Sequence, residues 1–330
     1  MRVLVTGGAG FTGSVLVPRL LEEGAAVTVV DKLVYGNHLP EHPSLRVVLG
    51  DVRDGALLAR VIPGHDAVVH LAFVSNDPEY ELDPRVGDAV NWRAFAPLVD
   101  LSRRSGVARF VFPSSCSVYG SAKGDDVDEE HPPAPLTAYA QMKMACEGVL
   151  AERASKDFCC AIVRPATVCG VSPRQRLDLT INRMVAEGHA RRGVIVRNPG
   201  RIRPSIHIRD LAELYVTMLR APEGAVNGRV FNAAYENRTV LESAAIVRDR
   251  LGADVHIASK EDGDQRSYRV SSERLRTEIG FAPRATVADA VRELAGALDA
   301  NLLPDPLGAP DYYNMRMEKR VDWGVGPRDS

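Results

Sequence analysis

The sequence predicts an α/β protein built on a doubly wound parallel sheet, with a smaller mixed α/β lobe beside it. Three observations predict this class. Short apolar runs alternate with longer helical patterns through the first half of the 330 residues. The runs are almost continuously apolar, as expected for parallel strands that are covered on both faces. A glycine-rich segment directly follows the first run and opens the first helical pattern. Such alternation favours right-handed βαβ units.

The first half of the chain carries the elements of the sheet. Strands are predicted at 2–6, 26–30, 45–49, 67–72, 109–115 and 159–166. Helical patterns between several of them cover 11–23, 54–62, 85–105 and 138–155. After residue 170 the pattern loosens, with helical stretches near 175–190, 238–251 and 285–299. We therefore expect two units, a sheet domain of residues 1–170 and 206–235 and a smaller lobe of 171–205 and 236–330.

Composition and charge exclude several classes of protein. The chain is 45% hydrophobic with a net charge of −2, so no global basic field indicates nucleic acid. No apolar run is long enough to span a membrane, and the first residues lack the pattern of a signal peptide. Five cysteines, two of them adjacent at Cys159 and Cys160, argue against a disulfide framework and predict a reducing cytoplasm. No His, Cys or carboxylate spacing indicates a metal.

The segment VTGGAGFTG, residues 5–13, predicts a dinucleotide-binding turn. It fits the spacing Gly8-x-Gly10-x-x-Gly13 and equally Gly7-x-x-Gly10-x-x-Gly13. Glycines at these places permit a tight turn and let backbone N–H groups approach a pyrophosphate at the helix N-terminus. A glycine-rich turn without a ligand is the alternative, so the motif needs support from elsewhere in the chain.

Two acidic residues supply that support and select the cofactor. The second strand ends in Asp31, at the distance expected for an acid that binds the adenine ribose. The third strand ends at Asp51, which is placed to reach the adenine amino group. A 2′-phosphate would meet like charge at Asp31, although Lys32 softens that repulsion. The sequence therefore predicts NAD rather than NADP.

A tyrosine and a lysine predict acid–base chemistry. Tyr139 and Lys143 are four residues apart and share one helix face. The helix is expected to begin near Thr137, which places Tyr139 close to the positive end of the helix dipole. Both that dipole and the Lys143 ammonium favour a phenolate, and Lys143 is also placed to hold the nicotinamide ribose. Ser115, at the end of the fifth strand, is placed to donate to the reacting oxygen.

With these motifs the chain resembles the extended short-chain dehydrogenase/reductase family, in its nucleotide-sugar epimerase/dehydratase branch. The resemblance covers roughly residues 1–300 and is carried by TGGAGFTG, GDVRD, HLAFVSNDP, SSCSVYG, YAQMK, RPATVCG and RPSIHIRD. It implies a Rossmann domain, a homodimer formed by the helices near 85–105 and 138–155, and the catalytic residues Ser115, Tyr139 and Lys143. The cofactor positions that follow are Gly7, Gly10, Phe11, Thr12, Gly13, Asp31, Lys32, Asp51, Val52, Leu71, Ala72, Tyr139 and Lys143.

The resemblance also implies a nucleotide-diphosphate sugar as substrate. Residues 171–210 are rich in arginine, and the family holds the substrate diphosphate at the position of Arg203. The chain departs from the family at Thr167, where Asn is frequent, and at Cys169, where Tyr is frequent. The expected substrate positions are Ser75, Asn76, Thr167, Arg174, Arg203 and Arg266.

The predicted activity is epimerisation at C4 of the sugar. Dehydratases of the resembling family carry acidic residues just after the catalytic hydroxyl, where this chain has Cys116 and Ser117. Cys116 is either a buried core residue or an accessory acid–base group. The alternatives are a nucleotide-sugar dehydratase or 4-ketoreductase and, remotely, a non-catalytic NAD-binding scaffold, which would not be expected to keep both Tyr139 and Lys143.

Overall fold

The computed structural model describes residues 1–122, 126–263 and 266–325. The strands in these residues are β1 (Arg2–Thr6), β2 (Ala26–Asp31), β3 (Leu45–Leu49), β4 (Ala67–His70), β5 (Arg109–Pro113), β6 (Cys159–Pro165), β7 (Thr167–Cys169), β8 (Gly193–Arg197), β9 (Ile202–His207), β10 (Arg229–Ala233), β11 (Glu236–Thr239) and β12 (His256–Lys260). The α-helices are α1 (Gly13–Glu22), α2 (Gly55–Val61), α3 (Asp77–Leu82), α4 (Pro84–Gly87), α5 (Phe95–Arg104), α6 (Ala138–Arg153), α7 (Thr180–Arg191), α8 (Ile208–Arg220), α9 (Glu223–Val226), α10 (Val240–Leu251), α11 (Glu273–Ile279), α12 (Val287–Asp299) and α13 (Asn314–Glu318).

A seven-stranded sheet of order β10-β6-β5-β4-β1-β2-β3 forms the centre of the fold. Every neighbouring pair in it is parallel, which confirms the predicted doubly wound class. The strand order reverses at β1, which lies between β2 and β4. In open parallel sheets the ligand crevice lies at the carboxyl ends of the strands beside such a reversal.

The two faces of the sheet are covered by different helices. Val5, Leu16 and Leu214 belong to a buried cluster that joins β1 to α1 and α8. Val68 and Leu98 belong to a second cluster, which joins β4 to α5 and α6 on the other face. The nearly continuous apolar strands follow from this double coverage.

Two small sheets lie outside the central one. In the first, β9 pairs antiparallel with β11 and parallel with β7. In the second, β8 pairs parallel with β12. A third apolar cluster, which includes Met184, Val194, Val247 and Leu294, packs α7, β8, α10 and α12 together. By contrast, Tyr268 and neighbouring apolar residues up to Phe281 pack in the cluster of the central sheet. The division of the chain into two units stays a prediction.

The helix predicted at 85–105 is interrupted. In its place α4 is followed by a π-helical segment at Asp88–Arg93, and α5 begins at Phe95. No helix in the described ranges is both long and apolar enough to cross a membrane. All five cysteines are buried and unpaired.

Candidate active site

A cavity of about 460 Å³ lies at the carboxyl ends of β1, β4 and β5. It collects residues that are far apart in the sequence, because parallel strands end at one edge of the sheet. The predicted site residues that line it are Gly7, Gly10, Phe11, Thr12, Gly13, Leu71, Ser75, Asn76, Ser115, Tyr139, Lys143, Thr167, Arg174, Arg203 and Arg266. The predicted residues that do not line it are Asp31, Lys32, Asp51, Val52, Ala72 and Cys116.

The glycine turn between β1 and α1 forms one wall of the cavity. Gly7 has φ +72°, and a Cβ there would lie 2.5 Å from the backbone nitrogen of Ala72. A Cβ on Gly13 would lie 2.5 Å from the backbone of Gly8. These positions therefore require glycine, as the sequence motif predicts. The bare turn stands before the N-terminus of α1, which fits a pyrophosphate.

Beyond the turn, Asp31 and Asp51 are held in place by neighbouring groups. The Asp31 carboxylate accepts hydrogen bonds from the backbone N–H groups of Leu33 at 2.7 Å and Ala9 at 3.0 Å. Burial raises the pKa of Asp31, against the effect of these hydrogen bonds. Lys32 lies 3.2 Å from Asp51, so its ammonium is engaged there rather than with Asp31. The turn and Asp31 together fit a dinucleotide with an unmodified adenine ribose.

We expect the protein to bind NAD about 10²-fold more tightly than NADP, because like-charge contact costs several kcal/mol. Replacing Asp31 with Ala should narrow this difference, since the carboxylate that repels a 2′-phosphate is removed. Titration calorimetry with NAD and with NADP measures the two affinities. Equal affinities of the unmodified protein for NAD and NADP would contradict the assignment of Asp31.

Tyr139 and Lys143 lie in the first two turns of α6. The helix begins where the sequence predicts, and the Thr137 side chain caps it by accepting from Ala140 N–H at 3.2 Å. Lys143 Nζ donates to the carbonyl of Pro113 at 2.7 Å and lies 3.4 Å from the ring centroid of Phe73. Both predicted residues are buried and line the cavity.

The electrostatics of the pair differ in part from the expectation. Burial, followed by the charges of Asp77 and Glu79, raises the pKa of the Tyr139 phenol. Burial lowers the pKa of Lys143 to about 7. The expected phenolate is therefore not favoured by the protein alone, because loss of solvent outweighs the helix dipole at this depth. A buried lysine that titrates near neutral pH is nevertheless suited to proton exchange.

Ser115 and its neighbours follow β5. Ser115 Oγ accepts from the hydroxyl of Ser117 at 2.8 Å and from its backbone N–H at 3.1 Å. The Cys116 side chain is 1% exposed and its thiol donates to the carbonyl of Arg164 at 3.0 Å. Burial raises the pKa of that thiol far above its usual range. The structure thus places the Cys116 thiol in the core, outside the lining of the cavity that holds Ser115.

The arginines of the cavity are held in different ways. Arg266 forms an ion pair with Asp77, and Arg203 Nη1 donates to the backbone carbonyl of Arg266. Arg176 pairs with Glu79 at 2.9 Å and with Asp178 at 2.9 Å. Arg203 and Arg266, which are 63 residues apart in the chain, thus meet at one wall.

Sequence reasoning missed several residues of the cavity. Phe73, Asp77 and Tyr35 follow strands β4 and β2, so their places at strand ends were a usable signal. Asn314 enters from the segment after residue 300, and Tyr268 from the segment before α11. No local pattern indicates that either reaches the site.

Comparison with known proteins identifies the family of the chain. Residues 3–234 match the model of the NAD dependent epimerase/dehydratase family. The chain belongs to this family. It is 32% identical to a dTDP-glucose 4,6-dehydratase of Streptomyces niveus, over 94% of this chain and 97% of that one. It is 28% identical to a UDP-glucose 4-epimerase of Corynebacterium glutamicum, over 92% of this chain and 97% of that one.

Solved structures of epimerases and dehydratases share the fold. One is the dTDP-glucose 4,6-dehydratase DesIV of Streptomyces venezuelae, solved with NAD bound. It superposes with a TM-score of 0.82 at 26% identity, over 93% of this chain and 100% of that one. The cofactor of the epimerase/dehydratase family is NAD, and its members act on nucleotide sugars. The glycine turn, Asp31 and the Tyr139–Lys143 pair of this chain fit that cofactor.

Proposed function

We propose that the protein is an NAD-dependent nucleotide-sugar epimerase that inverts the hydroxyl at C4 of the sugar. The observation that carries the proposal is the surroundings of Ser115. The two residues that follow it are a core cysteine and a serine, so the segment directly after Ser115 supplies no carboxyl group. Dehydration needs an acid for the departing hydroxyl, whereas inversion by removal and return of one hydride does not.

The roles of the site residues follow from their places. Tyr139 takes the proton from the C4 hydroxyl while Ser115 donates a hydrogen bond to the same oxygen. Ser117 orients the Ser115 hydroxyl through their 2.8 Å hydrogen bond. Lys143, when charged, stabilises the tyrosinate, since both side chains are buried. Bound NAD supplies the hydride acceptor. Once the 4-keto sugar has rotated in the site, the hydride would return to the opposite face of C4, and Tyr139 returns the proton to the C4 oxygen.

The substrate diphosphate is assigned to the wall formed by Arg203 and Arg266. Both side chains line the cavity, and guanidinium groups match phosphate oxygens in charge and geometry. Thr167, at the start of β7, and Ser75 and Asn76, after β4, line the same cavity and are placed to bind the sugar hydroxyls. The class of substrate is a nucleotide-diphosphate hexose.

A dehydratase is the second candidate, and one observation favours it. Of the acidic residues in the described ranges, Asp77 and Asp178 line the cavity, and each is paired with an arginine. One oxygen of Asp77, Oδ1, is buried and has no hydrogen-bond partner in the part of the chain that the structure describes. If Arg266 moves to a substrate phosphate, Asp77 becomes a free carboxylate near Tyr139. A reductase that consumes NADPH is disfavoured by Asp31, and a scaffold by the retained Tyr139 and Lys143.

Incubation with UDP-, GDP-, CDP- and dTDP-hexoses without added cofactor tests the proposal. We expect a product of unchanged mass with inverted configuration at C4, because the hydride that is removed is returned. NMR and mass spectrometry measure both properties. Loss of the mass of one water would assign the protein as a dehydratase, and Asp77→Asn would then be the first variant to make. Turnover that depends on added NAD(P)H would indicate a reductase.

We also propose that the protein is a homodimer built on the helices that flank Ser115. Trp92, in the π-helical segment, is 40% exposed, and Met144, on α6, is 41% exposed. Exposed large apolar side chains on adjacent helices fit a self-complementary interface about a two-fold axis. We expect a dimer by light scattering at micromolar concentration. The double variant Trp92→Asp/Met144→Asp should shift the mass to that of the monomer, whereas Leu302→Asp, which replaces another exposed apolar residue, should leave the dimer intact. A monomeric unmodified protein would contradict the proposal.

A further inference from the structure

Two buried arginines of the cavity, Arg174 and Arg176, differ in how their charge is balanced. Arg176 has two carboxylate partners, Glu79 and Asp178, and also donates to Ser75 at 2.8 Å. Arg174 has no carboxylate within ion-pair distance in the part of the chain that the structure describes. A buried cation without an anion in direct contact is costly, so an anionic ligand beside Arg174 would stabilise it.

The guanidinium of Arg174 is buried and fixed in orientation. The residue is 2% exposed and lines the cavity, and its Nε has no hydrogen-bond partner among the described residues. The guanidinium carbon lies 3.7 Å from the ring centroid of Tyr35, and Nη2 donates to the side-chain oxygen of Asn314. Burial and the charge of Arg176 lower the pKa of Arg174 to about 10, so the group stays charged at neutral pH.

The neighbours of Arg174 belong to the cofactor end of the cavity. Its backbone N–H donates to the hydroxyl of Ser14 at 3.2 Å, in the first turn of α1. Ser172 ties the same loop to the glycine turn, since its hydroxyl donates to the carbonyl of Phe11 at 2.7 Å. The charge of Arg174 also acts on Asp31, where it opposes the rise in pKa that burial causes. Arg174 therefore stands beside the turn that receives the dinucleotide.

We propose that Arg174 binds the pyrophosphate of NAD, opposite the glycine turn, and that Asn314 positions its guanidinium. The sequence alone placed Arg174 among the substrate positions, together with Arg203. The structure separates the two, because Arg203 contacts Arg266 on another wall while Arg174 contacts Tyr35 and α1. By this proposal the segment after residue 300 contributes to the cofactor site, since Asn314 is the first residue of α13.

Titration of the nucleotide-free, full-length protein with ADP-ribose and with UDP tests the proposal. ADP-ribose carries the pyrophosphate of NAD, and UDP carries the diphosphate of a substrate. Arg174→Met should lower the affinity for ADP-ribose about 10- to 100-fold, the range expected for a lost charged hydrogen bond. The affinity for UDP should stay unchanged. Arg203→Met is the matched control and should lower the affinity for UDP but not the affinity for ADP-ribose. Arg174→Lys should recover part of the ADP-ribose affinity.

Both affinities are measured on the same preparation of each variant. Partial unfolding would lower the apparent affinities for ADP-ribose and UDP by the same factor, so it would not change their ratio. Asn314→Ala should shift the ratio in the same direction as Arg174→Met, but by a smaller factor. Removing an unbalanced buried charge should not lower the unfolding temperature of the nucleotide-free protein. The proposal is wrong if Arg174→Met weakens UDP as much as ADP-ribose, or if it leaves the ADP-ribose affinity unchanged. Because both ligands are binding probes, a failure here does not bear on the proposed epimerisation.

Discussion

Tyr139→Phe is expected to lower turnover by about 10²–10⁴-fold, the contribution typical of a general acid–base group. The variant removes only the hydroxyl that exchanges a proton with the substrate. The ring, its 6.1 Å edge contact with Phe73 and the helix that carries it should remain. Binding of NAD and the unfolding temperature should therefore be unchanged. Turnover of a nucleotide sugar at saturation measures the effect, and released nucleotide measures the cofactor content.

Tyr215→Phe is the matched control for that variant. Tyr215, on α8, is a buried tyrosine that lines the same cavity, but no lysine four residues along shares its helix face. The Tyr215→Phe variant should keep most of the turnover of the unmodified protein. If Tyr139→Phe also kept turnover near that of the unmodified protein, Tyr139 would not be the proton-transfer group and the proposed chemistry would lose its base.

Glu147→Leu should cost about 3–5 kcal/mol of stability, because it leaves a buried guanidinium without its anion. Glu147, on α6, binds Arg164 through both carboxylate oxygens, at 2.9 and 2.7 Å. It also accepts from the hydroxyl of Ser114, the neighbour of Ser115. Arg164 in turn donates to the Tyr119 hydroxyl at 2.7 Å. The network joins the helix of Tyr139 to the strand end of Ser115, so turnover should fall as well.

Chemical denaturation of the single and double variants measures this coupling. Glu147→Leu/Arg164→Met should be less destabilised than Glu147→Leu, since no unpaired charge remains buried. The exposed pair of Arg276 and Glu273, 3.0 Å apart, supplies the control, and its removal should leave the denaturation midpoint unchanged. Equal losses for the single and double variants would show that the buried pair does not act as a unit.

Local patterns predicted the part of the site that depends on local structure. The glycine turn, the start of α6 and the spacing of Tyr139 and Lys143 are each set within a few residues. The central strands were predicted nearly to their ends, because strands covered on both faces are continuously apolar. The parallel sheet then explains why distant strand ends, such as those before Leu71 and Ser115, share one cavity.

Contacts between distant segments could not be predicted in this way. The sequence cannot show that Arg176 is neutralised by Glu79 while Arg174 is not, since the partners lie in different elements. Nor can it show that Asn314 reaches Arg174 across 140 residues of chain. The rise in the pKa of Tyr139 depends on burial by the assembled fold, whereas the sequence suggested only the helix dipole and Lys143. The apolar pattern of residues 85–105 likewise does not indicate the π-helical segment that precedes α5.

In the proposed epimerisation one hydride leaves C4 and returns to C4, so a substrate labelled with deuterium at C4 reports where that hydride goes. A nucleotide hexose that turns over in the panel is prepared with this label and incubated with the protein in ordinary water. We expect a product of unchanged mass, with inverted configuration and the deuterium still at C4. A product that has lost water and carries the deuterium at another carbon, or that has lost the label altogether, would contradict it.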